Sequence, residues 1–146
     1  MSALARTLFI AEPPAQYLVL TPVVVDCSTL AGLVFEEHWK QQALDRIQGK
    51  TLYAPYLLQV EMASVAVKKH QQGRPDLATE GLAQFRAMNI TLYQIEPVGA
   101  LTLAIQYQLS AYDAAYLWLA AELKCPLATF DEKLGTAAQA HLATLP

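Results

Sequence analysis

The run Val23-Val24-Val25, closed by Asp26, constrains this chain more than any other feature. Three consecutive β-branched residues are stiff at χ1 and suit a pleated strand better than a helix. The run shows no alternation of apolar and polar residues, so both faces of the strand need cover. Such a strand belongs inside a parallel sheet with helices on both sides. An acid directly after it stands at the strand's carboxyl end, where open α/β sheets bind their ligands.

The remaining segments supply the helices and the other strands. Ser28 reads as a helix N-cap, followed by helical patterns to about residue 35 and again to about 47, where Gly49 ends the region. Leu52-Tyr53-Ala54 suits a second strand, and Pro55 opens a helix to about 70. Gly73-Arg74-Pro75 reads as a turn before a helix over about 76–88. Residues 90–95 alternate as a strand. Pro97 fits the first position of a helix ending near 108. Ser110 caps a helix over 111–124 that is apolar on nearly every side and therefore central. Residues 126–130 form a short apolar strand, and Asp131 caps a last helix to about 142. The expected fold is a three-layer α/β/α sandwich around a mainly parallel sheet, with right-handed crossovers. Pro13-Pro14 separates an N-terminal arm, 1–22, from the domain proper, 23–146.

At 146 residues the chain suffices for one core. Its 54% apolar and 16% charged residues exclude a disordered chain. Charges and prolines interrupt every apolar stretch before the ~20 residues a spanning helix needs, and the N-terminus lacks a signal-peptide pattern. A cytoplasmic location is expected. The formal charge of −3 argues against broad electrostatic binding of nucleic acid, but not against an enzyme whose positive charge is bound metal. Cys27 and Cys125 form no metal spacing, and His38, His70 and His141 share none either. Cys27 has no His partner in any nucleophile motif. Tyr112, Tyr116 and Trp118 read as core aromatics.

Most acids sit on polar helix faces, but four stand apart. Asp26 follows Val-Val-Val, Glu61 lies mid-helix in LQVEMASV, Asp113 opens the apolar helix, and Asp131 follows PLATF. This topology allows all four to face one crevice. Clustered carboxylates repel one another, and a divalent cation removes the conflict. Each acid also has a plainer reading. Asp113 completes a capping box with Ser110, Asp131 suits an N-cap, Asp26 suits a strand-end turn, and Glu61 suits a solvated helix face beside Ser64 and Lys68.

Three segments, VVVDCSTL, LLQVEMASV and LSAYDAAYLWLAAELKCPLATFDEKL, resemble the PIN-domain family, in particular the VapC-type toxins of bacterial toxin–antitoxin pairs. The likeness runs from Val23 to Leu142, and its last segment is the most specific. The resemblance implies an acidic metal site of Asp26, Glu61, Asp113 and Asp131, supported by Ser28 and Thr129. It also implies Mg²⁺- or Mn²⁺-dependent endoribonuclease activity, a VapB-type antitoxin partner and a homodimer. Two features depart from the family's pattern. The N-terminal arm is long, and the −3 charge leaves Lys68, Lys69, His70 and Arg74 as the best basic patch for RNA. Two other functions compete: a non-catalytic PIN scaffold, and a phosphatase with Asp26 as nucleophile. The latter usually needs a second Asp where Ser28 stands.

Overall fold

Among the described residues, five short strands form one sheet in the order β1-β5-β2-β3-β4. The computed structural model describes residues 5–13 and 21–146. Pro14 of the proposed joint lies outside the described residues. In chain order the elements are β1 (Phe9–Ala11), β2 (Pro22–Val25), α1 (Cys27–Val34), α2 (Lys40–Ile47), β3 (Thr51–Pro55), α3 (Leu57–Gln71), α4 (Pro75–Ala87), β4 (Ile90–Tyr93), α5 (Pro97–Tyr107), α6 (Ala111–Leu123), β5 (Leu127–Thr129) and α7 (Glu132–Leu142).

The pairs β2–β3, β3–β4 and β2–β5 are parallel, and β1–β5 is antiparallel. The chain moves outward from β2 through β3 to β4, then returns to lay β5 on the other side of β2. Open α/β sheets bind ligands where the strand order reverses, which here lies beyond the carboxyl ends of β2 and β5. Val24 and Val25 are fully buried, as a strand covered on both faces requires. Helix α6 lies across β2, β3 and β5 and packs beside α5 and α7. Its buried residues are Ala114, Ala115, Tyr116, Leu117, Leu119 and Ala120, and the alanines let it approach closely. Helix α1 packs with α2, α3 and α4 as a second helical group.

Several boundaries differ from the sequence reading. Helix α1 begins one residue before Ser28, because Asp26 is the N-cap and its carboxylate accepts the Thr29 N–H. Pro55 ends β3 instead of opening α3, a place where the missing N–H costs the sheet little. Helix α4 starts at Pro75, whose fixed φ suits the first turn. Strand β4 stops at Tyr93, where its pairing with β3 ends. Tyr116 is buried, but Tyr112 stays on the surface at the first turn of α6.

Within the arm, Phe9–Ala11 pairs with β5 and so adds an edge strand to the sheet. Glycine makes room for it. A Cβ on Gly135 of α7 would lie 2.3 Å from Phe9 Cγ and 2.4 Å from its Cβ. These atoms sit next to the backbone and cannot swing aside. Gly135→Ala is therefore expected to destabilise the fold by about 1–3 kcal/mol. In a Phe9→Gly background, which removes both of those atoms, the same change should cost much less. Urea unfolding of the four proteins checks this, and an equal cost in both backgrounds would refute the packing argument.

Candidate metal centre

Asp26 leaves the carboxyl end of β2 in extended geometry and is 5% exposed. A buried carboxylate is costly unless donors surround it. Here they come from two strand ends. Ser28 Oγ donates to Oδ1 at 2.7 Å, and the Thr29 N–H donates to the same oxygen at 3.0 Å. Thr129 Oγ1, at the end of β5, donates to Oδ2. The Thr29 hydroxyl lies 3.1 Å from Oδ1 and 3.0 Å from the Ala128 carbonyl oxygen. Burial still holds the Asp26 carboxyl above the ordinary range, with the Thr129 and Ser28 hydroxyls opposing the shift.

The two hydroxyls are themselves anchored by backbone. Ser28 Oγ accepts the Phe130 N–H at 2.9 Å, and Thr129 Oγ1 accepts the Asp131 N–H at 3.0 Å. Asp131 then caps α7, its Oδ2 accepting the Leu134 N–H at 2.7 Å. Asp113 sits in the first turn of α6, and its N–H donates to Ser110 Oγ at 3.1 Å. Glu61, in the second turn of α3, accepts the Tyr116 hydroxyl proton at 2.6 Å.

Four elements thus bring their acids into mutual electrostatic reach. Burial raises the Asp113 carboxyl first, and the charges of Asp131 and Asp26 raise it further, to about 6. Burial also raises Glu61; the Tyr116 hydrogen bond opposes this, and Asp26 and Asp113 add to it. Cys27 is no ready nucleophile, since burial and the charges of Glu61 and Asp26 push its thiol up to about 12.

A family model for the PIN domain matches residues 23–139. The chain belongs to the PIN-domain family. It is 32% identical to the VapC ribonuclease Mb0985 of Mycobacterium bovis over 121 residues, covering 82% of this chain and 93% of that protein. It is 31% identical to the ribonuclease VapC3 of Pyrobaculum aerophilum over 119 residues, 77% of this chain and 91% of the relative. The crystal structure of PAE2754 from Pyrobaculum aerophilum superposes with a TM-score of 0.62 at 21% identity, covering 85% of this chain and 96% of the other. That likeness bears on the fold alone.

The donor chemistry of this PIN domain fits a hard divalent cation. The four side chains offer only oxygen, and neighbouring carboxylates add to the burial that raises Glu61 and Asp113, a conflict that a counter-ion relieves. Among the described residues, no three His, Cys, Asp or Glu side chains form a ready-made cage. The fit is one of donor type and charge. Mg²⁺ and its like keep several waters and need few direct carboxylates.

The basic residues are less uniform than the sequence suggests. Lys69 is half-buried and pairs with Glu37. Lys68 is exposed, and its charge reaches Cys27 beside the acids. Arg74 is exposed at the start of α4, beyond the far end of α3 from Glu61. His141 meets Tyr107, and His38 stacks edge-on against Trp39.

Sequence reasoning missed three residues here: Thr29, Tyr116 and Lys133. Thr29 is fully buried against Asp26 and the end of β5, and Lys133 acts electrostatically on Asp113. Thr29 stands three residues after Asp26, the spacing of a cap, and Tyr116 stands three after Asp113. Those spacings were the available signals.

The raised Asp113 carboxyl has a consequence for stability. Its folded pKa of about 6 exceeds the ordinary 3.8, so the fold favours the protonated form. That contribution is full below 3.8 and is lost as pH rises through about 6. In EDTA at pH 8, Asp113→Asn should therefore melt above the wild type, and the gap should close toward pH 4. A variant that melts at or below wild type at pH 8 would contradict the repulsion.

Proposed function

We propose that this PIN-domain protein is a metal-dependent endoribonuclease, the toxin of a VapBC-type pair. One observation supports the metal reading most: acids from separate elements act on one another, with Asp113 raised to about 6 by burial, Asp131 and Asp26, and Glu61 raised by burial, Asp26 and Asp113. The relatives named VapC ribonuclease support the RNA reading. Mg²⁺ or Mn²⁺, when bound, would lower the pKa of a water and stabilise charge on phosphodiester oxygens.

In this reading Asp26, Glu61, Asp113 and Asp131 are the ligands and the proton-handling groups of the reaction. Asp26 is the fixed member, because Ser28, Thr29 and Thr129 hold it. Asp131 is tied to the α7 N-terminus, which restricts its movement. Ser28 and Thr129 support the first acid and link it to the backbone of the last. Water then hydrolyses the phosphodiester, with no covalent link to the protein.

RNA phosphates flanking the cut would meet Lys68 and Lys133, which are exposed and act on groups at the acid cluster. Lys69 contributes less, since Glu37 engages it, and Arg74 would touch only more distant phosphates. Protein partners are a VapB-type antitoxin and a second copy of the chain. Val98, Leu101 and Ile105 stay exposed along α5, which supports a protein partner of either kind. A cytoplasmic setting goes with this role, and no described helix is long and apolar enough to cross a membrane.

Cleavage of total RNA by the purified chain, with and without Mg²⁺ or Mn²⁺, tests the reading beside Asp26→Asn. RNA should be cut only with metal, and the variant should fall to background. Equal cutting by both proteins would remove Asp26 from the site. Partner binding by both without any cutting would favour the non-catalytic scaffold.

A further inference from the structure

The Tyr116 side chain is 1% exposed and belongs to the core, yet its hydroxyl bonds a half-buried acid. It donates to Glu61 Oε1 at 2.6 Å, linking α6 to α3. Tyr116 stands three residues after Asp113, so the two share one face of α6. One helix therefore carries one acid of the cluster and reaches across to hold a second.

The two best-placed acids are held very differently. Asp26 has a short side chain and donors at Ser28, Thr29 and Thr129. Glu61 has a longer side chain, is half-buried, and, among the described residues, Tyr116 is its one hydrogen-bond donor. Without that hydroxyl its outer torsions are free to turn the carboxylate away from the crevice. A buried tyrosine hydroxyl needs some acceptor, and any carbonyl would serve that need. Here the acceptor is an acid of the candidate centre, and the donor leaves Oε2 available.

We infer that Tyr116 is a positioning residue, whose hydroxyl holds the Glu61 carboxylate in the orientation that cation binding requires. This rests on the metal-centre reading proposed above. It makes the strength of an α3 ligand depend on a core side chain of α6, which no metal-ligand motif would reveal. Groups that orient a ligand from behind commonly change metal affinity by 10–100-fold when removed.

A double-mutant cycle on the full chain tests the inference, with Mn²⁺ alone as the probe and calorimetric titration as the readout. Tyr116→Phe keeps the ring in the core and removes only the hydroxyl; its melt in EDTA should stay close to wild type. Mn²⁺ binding should weaken roughly tenfold in Tyr116→Phe. In a Glu61→Gln background, the same change should weaken it no further. Unchanged affinity in Tyr116→Phe would overturn the inference. So would equal weakening with and without the Glu61 carboxylate, which would assign Tyr116 to packing alone. Asp26→Asn is the separate control: if it and Glu61→Gln both bind Mn²⁺ like wild type, the metal-centre reading itself fails, whatever Tyr116 does.

Discussion

The buried Asp26 carboxylate and its donors are the interaction on which the rest of this structure depends. An uncompensated buried charge would be intolerable in a domain of marginal stability. Compensation from Ser28 and Thr29 caps α1, and compensation from Thr129 ties β2 to β5. The same hydroxyls pass the linkage to the Phe130 and Asp131 amides. One carboxylate thereby sets where two strands end, where two helices start, and where the crevice opens. The strands meet there because the chain reverses its order across β2, which places β5 on the opposite side from β3.

Asp131 caps α7, but Glu61 and Asp113 bring charge that the fold does not need. Glu61 and Asp113 are both raised by burial first and by neighbouring carboxylates as well. A protein selected for stability alone would not gather them. Retaining unfavourable like charge in one crevice is the usual signature of function set against stability. A counter-ion resolves the conflict, and the oxygen-only donor set indicates which kind.

Much of the fold was legible because its pattern is local. The β-branched run of β2 and the apolar helix α6 announce their burial without tertiary information. Pro97 and Ser110 likewise mark helix starts where the structure has them. The errors fall where two local signals compete. Ser28 and Asp26 are both good caps, and Asp26 wins because it alone stands at the strand end in extended geometry. Strand β1 was illegible because three residues of edge strand carry no period of their own, and only Gly135 and β5 give Phe9 its place. At the candidate centre, the settings of the four acids in the sequence single them out, while Tyr116 reads only as core. Its contact joins residues fifty-five apart in sequence, and periodicity carries no information at that range.

The central claim is that these four carboxylates form a site for a divalent cation. Anomalous diffraction from crystals soaked in Mn²⁺ tests it most directly. The account predicts one or more manganese peaks in the crevice, coordinated by Asp26 and at least one of Glu61, Asp113 and Asp131, and absent from Asp26→Asn crystals. A crevice without manganese at saturating concentration, or peaks that persist unchanged in the variant, would contradict it.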